Sequence, residues 1–300
     1  MTATLEERVA EPPELTGTKR PDVRSAVFAG ALWACLLLAG LFLMAVLLVI
    51  LQRGWARFDL ALVSEQPSRL NPEGAGVQSA IFGTLWVMLG TILLAIPIGV
   101  AGAVYLEEFA DNTKWWNRLI EVNIQNLAAV ESIIFGILVL AFIVRGPIGT
   151  GFVVLAGSAA LAMVILPIII ITARQALRAV PQDIRHASLG LGATVWQTSW
   201  RQVLPAAVPG IATGTILAVS RAIGEAAPLI LVGATAFVTF NPEGFFSRYT
   251  VLPVQIFTLV KFPEEANLQL AWAAILLLII ILLAMNGTAI YLRNKFQRRW

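Results

Sequence analysis

FVVLAGSAALAMVILPIIIIT, residues 152–172, contains no charged side chain. At 1.5 Å per residue such a run crosses a hydrocarbon layer of about 30 Å as a helix. An unpaired backbone amide is costly in lipid, so the run must satisfy its own hydrogen bonds. Five further apolar runs flank it, at about 26–51, 80–105, 124–143, 207–235 and 270–291. The chain is 58% hydrophobic and 13% charged over 300 residues, against about 25% charged in an average soluble domain. These numbers predict an all-α membrane protein with six transmembrane helices. The short alternating segments of a transmembrane barrel are absent from the pattern.

Lys and Arg placement predicts the orientation. With the N-terminus inside, segments 1–25, 106–123, 173–206 and 292–300 hold fourteen of the 21 basic residues and the outer segments hold six. Both termini are therefore expected in the cytoplasm. Residues 1–25, with Pro12, Pro13, Gly17 and Pro21, read as a disordered cytoplasmic tail, and 26–300 as the membrane domain. No signal peptide is read, because the first apolar run is too long and lacks a small-residue cleavage pattern. Trp55, Trp115, Trp116 and Trp272 fall near expected span ends, where amphipathic rings sit well. Cys35 is a lone cysteine inside the first run and reads as a small apolar residue. The excess positive charge belongs to loops and does not imply nucleic acid.

One loop is organised. ARQALRAVPQDIRHASLGLGATVWQTSWRQVLPA, residues 173–206, offers a helix start at Pro181, a break at Gly190 and Gly192, and a capping box at Thr194 and Gln197. Trp196, Trp200 and Val203 then recur at helical spacing, and Pro205 is expected to end the second helix. Two short amphipathic helices joined by glycines suit either a membrane surface or a soluble partner.

The fifth run carries two charges. In SRAIGEAAPLILVG, residues 220–233, Arg221 and Glu225 stand one helical turn apart and can pair. An isolated charge at the bilayer centre costs about 2.5–3.5 kcal/mol on insertion scales. Gly214, Ala218 and Pro228 fall on the same face, which suits close packing or a cavity wall. The pair reads either as a lock between helices or as an anion-binding point, since a guanidinium matches the oxygens of an oxyanion. Glu131 reads as a residue near an interface, and Glu107, Glu108 and Asp111 as a solvated face.

Residues 186–205, HASLGLGATVWQTSWRQVLP, resemble the coupling loop of ABC-importer permeases, whose pattern runs Glu-Ala-Ala, Gly-Ala, Leu-Pro. Ala187, Gly192-Ala193 and Leu204-Pro205 match, while His186 stands at the Glu position and Ser188 at the second Ala. Residues 76–110 and 220–233 resemble the second and fifth spans of phosphate-importer permeases of the PstA-like family. The resemblance implies a MetI-like fold in a bacterial inner membrane. It implies Arg221 and Glu225 on the substrate pathway, and His186, Ala187, Gly192, Ala193, Trp196 and Trp200 at the ATPase contact. It also implies partners: a related permease (PstC-like), two ATPase subunits (PstB-like), an external phosphate-binding protein (PstS-like) and inorganic phosphate. No Gly-x-x-x-x-Gly-Lys loop is present, so ATP is expected on the partners, with no cofactor or metal in this chain. The alternatives are a permease for another oxyanion, sulfate or molybdate, and an ion-coupled secondary carrier. The docking loop disfavours the carrier, which has no need of one.

Overall fold

The computed structural model describes residues 23–69, 71–111, 113–147, 149–234 and 237–296. Most of the expected tail, and with it Arg8, Lys19 and Arg20, lies outside them, as do Arg298 and Arg299. Contacts divide the chain into a unit ending at Val49 and a unit from Ile50 onward. The first is the body of helix α1 (Val23–Trp55), whose apolar side chains, such as Leu36, Leu41 and Phe42, are all exposed.

The second unit is helical throughout its regular structure. After the short α2 (Leu60–Ser64) come α3 (Gln78–Val104), which closes in a π turn Tyr105–Phe109, then α4 (Trp115–Ala129), α5 (Ser132–Val139) and α6 (Val154–Arg178). The loop helices α7 (Gln182–Gly190) and α8 (Val195–Thr198) lead through a π turn, Ser199–Val203, into α9 (Leu204–Gly224). α10 (Ala227–Leu231), α11 (Leu252–Val260) and α12 (Glu265–Phe296) complete it.

Among the described residues five helices are long and apolar enough to cross a membrane, and a sixth crossing is reached only by counting α4 and α5, extended to Val144 and bent by 106°, as one span. The expected straight third span, 124–143, is therefore corrected to two segments meeting at Val130–Glu131. Both residues have extended backbone, with ψ of 135° and 140°, so the helical ladder stops there.

The fifth span is corrected at both ends. Pro205 does not stop the helix, and Val195–Gly224 runs continuously. The π turn accommodates the proline, since Leu204 N–H reaches back to Ser199 O across the wider ring. At the far end the helix stops at Gly224 rather than near 235. Pro228 sets this limit, because its ring would clash with the carbonyl four residues earlier, and it instead sits in the first turn of α10.

α3, α6 and α9 form the centre. A Cβ on Gly99 would lie 2.7 Å from Ile169 Cγ2, and one on Gly90 2.3 Å from Ser158 Oγ. Missing side chains thus bring α3 against α6. In lipid this contact matters, because association rests on packing and hydrogen bonds rather than on expelling water. Gly214 meets Thr172 Oγ1 at 2.3 Å by the same measure, joining α9 to α6. The start of α6 is capped from a distance: Val154 N–H donates to Ser247 O at 3.0 Å and Leu155 N–H to Phe245 O at 2.8 Å. The strand-free segment 237–251 is thereby fixed inside the unit, with Tyr249, Thr250 and Val251 buried.

Candidate translocation and coupling sites

Two helix breaks meet at the first site. Glu225 is the residue at which α9 ends, with φ −79° and ψ 116°. Its Oε1 accepts from Arg221 Nε at 3.3 Å, so the expected one-turn pair exists. Its Oε2 accepts from Ser132 Oγ at 3.1 Å, and Ser132 opens α5 directly after the α4–α5 break. The breaks are held together by close packing: a Cβ on Gly136 would lie 2.7 Å from Pro228 Cα. The carboxylate is mostly covered, at 19% exposure, whereas the arginine side chain is 53% exposed. Among the described residues the two terminal nitrogens of Arg221 have no hydrogen-bond partner. The guanidinium is anchored at one edge and presents its other edge outward. The expected common face divides here, because Gly214 and Ala218 turn into the packing while Arg221 does not.

The second site is the 173–206 loop. α7 starts immediately after Pro181, and Gly192 breaks the pair at φ +87°, a conformation glycine reaches without strain. The capping box is complete, with Gln197 N–H donating to Thr194 Oγ1 at 3.2 Å and Thr194 N–H to Gln197 Oε1 at 3.0 Å. His186, Ala187, Trp196 and Trp200 are exposed, and Leu191 is 90% exposed. The two tryptophan rings touch, with centroids 5.3 Å apart, and Trp196 also meets Phe109 at 5.8 Å. An apolar groove lined by Ile184, Ala187, Leu191 and Ala193 runs along the loop.

The expected solvated face of Glu107, Glu108 and Asp111 holds only for Asp111. That residue accepts from Thr113 N–H at 3.0 Å and Thr113 Oγ1 at 2.7 Å, which together hold its carboxyl below the usual range. Glu107 pairs with Arg174 at 3.2 Å and Arg178 at 2.8 Å, and Glu108 with Arg185 at 2.8 Å. Arg174 also reaches Glu121 of α4 at 3.0 Å. These carboxylates face arginines on α6 and α7 rather than water. The charge balance between the end of the second span and the start of the loop was the sequence signal for it. Ser132 carried no such signal, because a serine in AAVESIIFG is unremarkable until the break is seen.

A helical membrane unit with a broken, charge-bearing span and an exposed pair of loop helices defines a transporter permease. The family described as binding-protein-dependent transport system inner membrane component matches residues 95–298, and the chain belongs to it. The phosphate transport system permease protein PstA 1 of Mycobacterium tuberculosis is 33% identical over 288 residues, covering 94% of this chain and 91% of that protein. The fold is that of solved importer permeases. A bacterial ABC transporter involved in the import of the acidic polysaccharide alginate aligns with TM-score 0.62 at 15% identity, over 92% of this chain and 97% of that one. The MetNI methionine ABC transporter in an inward-facing conformation aligns with TM-score 0.56 at 18% identity, over 72% and 92%. The protein is accordingly a multi-pass inner-membrane permease of the MetI-like fold.

Proposed function

We propose that this chain is the PstA-like membrane subunit of an ATP-driven phosphate importer and forms half of its translocation pathway. The observation that carries the reading is Arg221, fixed through Nε to a covered carboxylate while its outer edge stays open. An oxyanion can take that edge with two charge-assisted hydrogen bonds. Glu225 offsets the charge of the empty site and weakens anion binding, which lets the anion leave. Ser132 holds the second oxygen of Glu225, so the carboxylate does not swing toward the anion.

In this reading a related permease (PstC-like) supplies the other half of the pathway. Two ATPase subunits (PstB-like) dock on 173–206 through Trp196, Trp200 and the surface around His186, Ala187, Gly192 and Ala193. They bind and hydrolyse the ATP, and this chain is not an enzyme. An external phosphate-binding protein (PstS-like) delivers inorganic phosphate from the opposite side. Both termini lie in the cytoplasm.

Arg221→Gln tests the reading. Uptake of labelled phosphate into vesicles bearing the full complex is expected to fall to background, with all subunits still copurifying. Unchanged uptake in that variant refutes the role of Arg221. Wild-type uptake competed equally by sulfate or molybdate would refute the assignment of phosphate.

A further inference from the structure

Glu108 joins the end of α3 to α7 and to the turn before α9, which lie far along the chain from it. Its side chain is 7% exposed and stands in the π turn after α3. Oε1 accepts from Arg185 Nη2 of α7 at 2.8 Å, and Oε2 lies 3.3 Å from Ser199 Oγ, the first residue of the π turn leading into α9, whose one proton it shares with Val195 O at 2.9 Å. Arg185 is also tied to the end of α6. Its Nη2 donates to Leu177 O at 2.9 Å and its Nη1 to Val180 O at 2.8 Å. One carboxylate and one guanidinium thus hold the end of α3, the end of α6, α7 and the root of the long helix through α9.

The covalent chain provides no substitute. Glu108 and Arg185 are 77 residues apart, so α3 feels α7 only through side chains. α7 is flanked by Ala179–Pro181 on one side and by Leu191–Ala193, with its left-handed glycine, on the other. A covered ion pair is a poor source of stability compared with apolar packing, but it specifies one geometry sharply. α3 ends in a π turn and α9 begins from one, the less regular helical form that recurs at functional sites.

We propose that Glu108 and Arg185 are a positioning pair that carries displacement of the loop helices into α3, α6 and α9, tying nucleotide turnover to substrate movement. This rests on the docking of ATPase subunits on 173–206. The test uses the whole reconstituted complex with Glu108→Gln, Arg185→Gln and the double variant. One readout is phosphate moved per ATP hydrolysed. The other needs no phosphate: the nucleotide-dependent change in mobility of a spin label at Leu93→Cys on α3, in a Cys35→Ser background. Each single variant is expected to keep its ATPase subunits yet lose transport per ATP by about fivefold or more, and to lose the label's response. The double variant is expected to be no worse than either single one, because the two residues act as a unit. If Arg185→Gln fails to assemble, Arg185→Lys, which keeps the charge but loses the forked geometry, takes its place in the cycle. Wild-type ratios and label response in the single variants overturn the proposal, as do losses that multiply in the double. A wild-type complex whose label follows nucleotide while no phosphate moves sinks the substrate reading and leaves the pair standing.

Discussion

Tyr249 keeps its hydroxyl in the interior with no hydrogen-bond partner among the described residues. A buried unpaired polar group costs about 1–3 kcal/mol, so Tyr249→Phe is expected to leave the melting temperature of the purified protein unchanged or raise it by a few degrees. Burial pushes the phenol well above the ordinary tyrosine range, so Tyr249 stays neutral in the folded protein. The difference between Tyr249 and Phe is therefore expected to be the same at pH 6 and pH 9, measured by thermal unfolding in detergent. A clear drop in stability would show that the hydroxyl has a partner. Gly83 gives the opposite case. A Cβ there would lie 1.9 Å from Thr250 O, a backbone atom that cannot swing aside. Gly83→Ala is expected to lower the melting temperature, whereas Gly30→Ala, with nothing within 4 Å, is expected to change it little. Arg221 and Glu225 were legible as a pair because charges in an apolar run are costly and one-turn spacing brings them together. Ser132 was not, since its role depends on two chain breaks meeting in space.

The elements show the same division between local and distant causes. Pro181, Gly192 and the Thr194–Gln197 box act within a few residues, and the loop helices start where they were expected. Gly192 holds φ +87°, while proline is confined near −65°. Gly192→Pro is therefore expected to misplace the docking surface and release the ATPase subunits. Trp200→Ala, which removes an exposed ring tilted against Trp196, is expected to weaken the same association. Both are read by copurification and by ATP hydrolysis of the reconstituted complex, and undiminished association in both would reject 173–206 as the docking loop. Proline behaved less simply. Pro97 and Pro167 stand inside continuous helices, Pro205 follows a π turn, and Pro228 coincides with a true break. The residue alone does not distinguish these outcomes, because each depends on whether neighbouring carbonyls find another donor.

For the whole molecule, hydropathy sets the crossings and the basic residues predict their direction. The segment 237–251 provides the topological test. Phe246 is 75% exposed, so a cysteine there, with Cys35 replaced by serine, is expected to react with a membrane-impermeant reagent added outside intact cells and not with one confined inside. Labelling only from within would invert the orientation. By itself the sequence determined that the chain is helical, that it crosses a membrane repeatedly, and that a charged pair and an organised loop interrupt the apolar runs. Periodicity, hydropathy and capping are local properties, and local spacing suffices to read them. Only the tertiary structure decided that the third span bends by 106°, that Ser132 steadies Glu225, and that Glu107 and Glu108 face arginines instead of water. Those facts turn on which distant side chains arrive at the same place. That arrival is set by close packing at small residues such as Gly99, Gly136 and Gly214, which no single stretch of the chain contains.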